Sequence, residues 1–130
     1  MSTRSNNPTV LIVDDESIVC SWIRAAVTNL GCEVIGEVAE GKQAVHRHGK
    51  QKPDITFLDI DMPDKNGLDA LEEILAGRPD AFVVMVSAHS TFENVQVAIE
   101  RGARGFIVKP FSISKFQMLV DKFVHEGTAA

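Results

Sequence analysis

Five short, nearly continuous apolar runs alternate with stretches whose apolar residues return every three or four positions. The first run is Thr9-Val10-Leu11-Ile12-Val13; residues 32–38, 54–58, 81–86 and 105–108 are the others. They are rich in β-branched side chains and lack a helical period, as strands buried on both faces do. Residues 16–30 place Val19, Ile23, Ala26, Val27 and Leu30 on one helical face. Residues 41–49, 68–76 and 92–101 read as three more helices, each with a glycine at or just past its end. Ser112 caps a last helix that carries Phe116, Leu119, Val120 and Phe123 on one side. This alternation predicts an α/β fold: a five-stranded parallel sheet, covered on both faces by helices and wound with right-handed crossovers.

A chain of 130 residues holds one domain and can bury a core without disulfides or a structural metal. With 45% apolar and 24% charged residues it is not a disordered chain. The run Phe82–Val86 has strand length, far short of the ~18 residues of a membrane span. Met1–Pro8 is polar and lacks the apolar stretch of a secretory signal, so a cytoplasmic protein with no membrane partner is expected. A net charge of −5 argues against nucleic acid and anionic lipid surfaces. Cys20 and Cys32 lie among apolar residues outside any CxxC pair and read as reduced, partly buried thiols. Trp22 flanks the apolar stripe of its helix and reads as half-exposed packing. His46, His48 and His125 are expected to face solvent. Val95, Val97 and Ile99 read as either core or contact surface.

In sheets of this kind ligands bind at the carboxyl ends of the strands, near the reversal of strand order. Asp14 and Asp15 follow the first strand, Asp59 ends the third, Ser87 the fourth and Lys109 the fifth. Two carboxylates ~4 Å apart repel by about 4 kcal/mol at an effective dielectric of 20. Three together call for a cation or a proton. Hard oxygen donors suit Mg2+ and make zinc a poor candidate. Lys109 is redundant in a metal cage but useful if an anion also arrives, and Ser87 can donate a hydrogen bond to a phosphoryl oxygen. An aspartate among Mg2+, a lysine and a hydroxyl is suited to accept a phosphoryl group as an acyl phosphate.

The ordered set Val13-Asp14-Asp15-Glu16, Asp54-Ile55-Thr56-Phe57-Leu58-Asp59-Ile60-Asp61-Met62-Pro63, Asn66-Gly67, Val86-Ser87-Ala88 and Gly102-Ala103-Arg104-Gly105-Phe106-Ile107-Val108-Lys109-Pro110 resembles the receiver domain of two-component response regulators, the single-domain chemotaxis type in particular. The resemblance implies a flavodoxin-like (βα)5 sheet of order 2-1-3-4-5. It divides the chain into a disordered lead segment 1–8, a receiver domain 9–125 and a tail 126–130. Asp59 would be phosphorylated by a histidine kinase or a histidine phosphotransfer protein. Asp15 and Asp59 would bind Mg2+ directly, Asp14 mainly through water, and the backbone carbonyl of Asp61 would complete the metal site. Lys109 would pair with Asp59 at rest and with the phosphoryl group afterwards. Ser87 would swing toward the phosphoryl group and Phe106 would turn into the space it leaves. The bond to Pro110 would be cis. The surface of the fourth helix, fifth strand and fifth helix would then control a downstream protein, with a phosphorylation-linked homodimer left open.

Three positions depart from the commonest pattern of that family; the switch aromatic is Phe106 and not tyrosine, so no hydroxyl can hold its position by a hydrogen bond. Asp61 is an additional acid two residues past the acceptor, and His89 lies two residues past Ser87. Both flank the path of the hydrolytic water in the family and are expected to tune the lifetime of the phosphorylated state. A receiver is a phosphoacceptor with slow self-dephosphorylation, not a turnover enzyme. One alternative is a pseudo-receiver that acts as an interaction module without phosphorylation. Another is a haloacid dehalogenase-type phosphatase, whose nucleophilic aspartate follows the first strand and whose chain is longer. A dinucleotide-binding protein is disfavoured, because no GxGxxG follows the first strand.

Overall fold

The computed structural model describes residues 7–88, 91–109 and 112–129, with side chains through 126. Pro110 and His89 lie outside the described residues, as does most of the expected lead segment. The order is β1 (Thr9–Val13), α1 (Ser17–Asn29), β2 (Glu33–Val38), α2 (Gly41–Gln51), β3 (Ile55–Asp59), α3 (Gly67–Gly77), β4 (Phe82–Ser87), α4 (Phe92–Glu100), β5 (Gly105–Val108) and α5 (Ile113–Ala129). The strands are parallel throughout and lie in the order β2-β1-β3-β4-β5.

Strand alternation sorts the apolar side chains onto two faces. Val10, Ile12, Phe57 and Val84 meet α1 and α5 through Ile23, Val27, Phe116 and Phe123. Leu11, Val13, Leu58 and Met85 meet α2, α3 and α4 through Ala44, Leu71, Ile74 and Ala98. Ring pairs reinforce the first face, with Phe57 5.3 Å from Phe116 and Phe82 5.5 Å from Phe123. Helix α4 is held more lightly: Ala98 is its buried residue, Val97 is partly buried and Ile99 is exposed. Both cysteines are buried and unbridged. Trp22, 54% exposed, flanks an apolar groove between α1 and α5 with Ala26, Ile113 and Phe116.

Three sequence expectations need correction. Helix α2 runs through Gly49 to Gln51. Its stop is set by Pro53, which cannot continue a helix, and by Lys52, whose left-handed backbone (φ 48°) closes the last turn with a bond to His48 O at 2.9 Å. Helix α5 continues to Ala129, past the tail expected from residue 126. The third correction concerns His48, which is buried at 3% exposure, whereas His46 and His125 are exposed. It follows Gly41 and Ala44 on the inward stripe of α2 and fills the turn where no larger apolar residue stands.

His48 Nε2 has no hydrogen-bond partner, and burial together with Arg78 pushes the imidazole pKa below 6.5. The unfolded chain therefore takes up this proton first as pH falls. Stability is full above pH 6.5 and declines below it, through the folded pKa. Compared with His48→Leu, the unaltered chain should lose stability as pH falls below 6.5, as read from denaturation curves of both proteins between about pH 5 and pH 8.

Candidate functional site

Strand order reverses between β1 and β3, so the loops leaving these two strands part to opposite sides and open a crevice. Val13 is in register with Leu58, which brings the next residues of both strands to the same height. Asp14 and Asp59 consequently sit side by side, each 3% exposed, while Asp15 faces solvent. Oxygens of Asp14, Asp15 and Asp59 all lie within 4.8 Å of one another. Among the described residues this is a purely carboxylate group, without nitrogen or sulfur donors.

The surrounding backbone holds these acids in place. Asp14 N–H donates to Val38 O at 3.0 Å, and Asp14 Oδ1 accepts from Glu16 N–H at 2.9 Å. Asp59 Oδ1 accepts a long bond, 3.4 Å, from Asp61 N–H. Gly67 N–H donates to Ile60 O at 2.7 Å and closes the loop 61–66 at its base. That closure needs glycine: a Cβ at position 67 would lie 2.0 Å from Asp59 O and 2.7 Å from Ile60 Cα. Asn66, exposed on the loop, starts α3 by accepting from Leu68 N–H at 2.7 Å.

Lys109 reaches across from the end of β5. Its Nζ stands 3.2 Å from Asp14 Oδ2, 3.2 Å from Glu16 Oε1 and 3.9 Å from Asp59 Oδ1. The expected resting pair with Asp59 is therefore the longest of three contacts. Asp14 Oδ2 is buried without an aligned hydrogen bond and draws the ammonium toward itself. Glu16, which the sequence reading did not assign to the site, holds the other side. Ser87 is buried at the end of β4, with its carbonyl accepting from Lys109 N–H at 2.9 Å. Asp61 is exposed. Phe106 is half-buried against the α2–α3–α4 face, in register with Met85.

Burial, and then the charge of Asp14, push the Asp59 pKa up to about 7, against the opposing pull of Lys109 and Asp61 N–H. Burial also raises Asp14, opposed by Glu16 N–H and Lys109. For Lys109 burial acts against the ammonium, but Asp59 and Asp14 outweigh it and the pKa rises. Among the described residues this edge is short of positive charge: the Lys109 ammonium faces Asp14, Glu16 and Asp59. Across an octahedral Mg2+ the ligand oxygens lie about 3–4 Å apart, so the spacing of these acids and their hard oxygen donors fit that ion.

A sequence model of the response regulator receiver domain matches residues 10–121. The chain belongs to that family. It is 41% identical over 113 residues to the chemotaxis protein CheY of Thermotoga maritima, covering 87% of this chain and 94% of that one. It is 37% identical over 105 residues to the transcriptional regulatory protein PdtaR of Mycobacterium tuberculosis, covering 81% of this chain and 51% of that one. Among solved structures, the CheX-CheY-BeF3-Mg+2 complex from Borrelia burgdorferi matches with a TM-score of 0.86 at 30% identity, covering 93% and 97% of the two chains. Receiver domains are signalling modules rather than turnover enzymes, and they bind Mg2+ through an acidic cluster of the kind Asp14, Asp15 and Asp59 form in this receiver. No helix among its described residues is long and apolar enough to cross a membrane.

The acid cluster has a signature in stability. Below pH 3.8 Asp59 is protonated in both states; as pH rises the unfolded chain loses that proton first, and stability falls until the folded pKa near 7 is passed. Asp59→Asn removes the penalty. The variant should be more stable than the parent by on the order of a few kcal/mol at about pH 8, with the gap closing toward about pH 4, as measured by urea denaturation in metal-free buffer.

Proposed function

We propose that Asp59 of this receiver takes a phosphoryl group from the phosphohistidine of a histidine kinase or histidine phosphotransfer protein. The observation that carries this reading is the Asp59 carboxylate itself: buried at the reversal of strand order, within 4.8 Å of two other acids, and 3.9 Å from Lys109. In the transfer an Asp59 oxygen forms a bond to phosphorus as the phosphorus–nitrogen bond to the donor imidazole breaks. The electron pair of that bond stays on the imidazole nitrogen, and Asp59 becomes a mixed anhydride.

Asp14, Asp15, Asp59 and the Asp61 carbonyl would hold Mg2+. The bound ion supplies positive charge that offsets the crowded carboxylates and the phosphoryl oxygens. The remaining work falls to the chain. Asp59 must be ionised to attack, and its pKa near 7 places that requirement within the physiological range. Lys109 already stands within reach of Asp59 and need only exchange its contacts with Asp14 and Glu16 for the new phosphoryl oxygens. Ser87 offers a hydroxyl from the end of β4. Phe106, half-buried on β5 in register with Met85, is assigned the inward turn that accompanies the Ser87 movement.

The output surface is assigned to α4, β5 and α5, where Phe92 is 81% exposed and Ile99, Val108 and Met118 are also exposed. To reverse a 1:99 resting ratio the phosphoryl group must favour the active state by about 5.5 kcal/mol. A few charge-assisted hydrogen bonds in a buried site are of that order. The Borrelia burgdorferi relative supports this reading, since its structure carries BeF3 and Mg2+ together with a second protein, CheX.

Incubation with Mg2+ and acetyl phosphate, followed by intact mass measurement, tests the assignment. One acid- and base-labile phosphoryl adduct is expected, and none in Asp59→Asn. Absence of any adduct in the unaltered chain would favour the pseudo-receiver. Asp61 and His89 are assigned to the lifetime of the adduct. Asp61→Asn and His89→Ala should each change the dephosphorylation rate several-fold, on the order of a 1 kcal/mol change in barrier, as followed by loss of the adduct mass.

A further inference from the structure

The N-terminus of α2 is capped from a distance. Glu40 occupies the N-cap position in an extended conformation but makes no side-chain cap bond. The first amides of the helix are instead taken by Asp64, from the loop between β3 and α3. Asp64 Oδ1 accepts from Gly41 N–H at 2.8 Å, and Oδ2 accepts from Lys42 N–H at 3.1 Å. A carboxylate in this place meets both the unpaired amides and the positive end of the helix dipole.

The contact is close as well as polar. A Cβ on Gly41 would lie 2.9 Å from Lys65 Cβ, so helix and loop are pressed together where glycine permits it. Lys65 is in turn ion-paired with Glu73 of α3. The loop 61–66 is thus closed at its base by Gly67 N–H on Ile60 O and tied at its tip by Asp64 on α2. Asp61 lies between these two ties. Its own N–H makes a long bond to Asp59 Oδ1.

We infer that Asp64 is a positioning residue: by tying the tip of the 61–66 loop to the first turn of α2, it sets how tightly the acidic site holds Mg2+. The inference rests on the phosphoacceptor reading, in which the Asp61 carbonyl faces the ion. A loop freed at its tip must be ordered again whenever the ion binds, and the affinity falls accordingly.

Isothermal titration of the full chain with MgCl2 reads the effect, with thermal melts in metal-free buffer as the companion measurement. Asp64→Ala should weaken Mg2+ binding roughly tenfold. Asp64→Asn keeps one good acceptor and should fall between the two. The double variant Glu40→Asp with Asp64→Ala separates positioning from simple capping. Aspartate at position 40 can cap α2 locally and recover the melting temperature, but it cannot tether the loop, so Mg2+ binding should stay weak. The inference is overturned if Asp64→Ala lowers only the melting temperature, or if the double variant recovers stability and Mg2+ affinity together. Failure of the unaltered chain to bind Mg2+ would remove the phosphoacceptor reading itself, and this inference with it.

Discussion

Two carboxyl groups, Asp14 and Asp59, are buried next to each other because β1 and β3 are neighbours in register, with Asp14 following β1 and Asp59 ending β3. The fold makes this juxtaposition and must tolerate its repulsion. Tolerance comes from backbone N–H groups of Glu16 and Asp61 and from the reach of Lys109, which spans three carboxylates at once. What remains is a site that favours a cation or a proton at rest and has a nucleophilic oxygen close to an ammonium. Stability and protonation are therefore coupled: burial first, and then the charge of Asp14, raise Asp59 to about 7.

The two apolar faces keep that edge in register. Side chains of β1 and β3 alternate between the α1–α5 layer and the α2–α3–α4 layer, so neither strand can slip without exposing one set. The chemistry sits on the loops leaving a rigid sheet, where backbone can bend without disturbing the core. Packing is uneven. Helix α1 buries Val19, Cys20, Ile23, Ala26 and Val27, whereas α4 buries Ala98. A helix anchored so lightly, with Phe92 and Ile99 exposed on it, can shift at low cost.

Most of this was legible in the sequence, because strands buried on both faces, as β1, β3 and β4 are, leave nearly continuous apolar runs without a helical period. The acids, the hydroxyl and the lysine could be placed on one edge as soon as the strands were located. Contacts between residues far apart in the chain were not legible. Nothing local to Glu16 indicates that it shares Lys109, and nothing at Asp64 announces that α2 begins on its carboxylate. His48 was misread because an imidazole on a polar helix is ordinarily solvated; here it lies below Ala44 on the inward stripe. Gly49 was read as a stop, yet Pro53 and the left-handed Lys52 end the helix. In each case tertiary context overrode a local preference.

Trp22 is the one indole of the chain, and there is no tyrosine. Its half-exposed ring borders the furrow between α1 and α5. Ultraviolet emission from this molecule is consequently a local optical gauge of that furrow, sensitive to whatever settles over it and undiluted by any phenol.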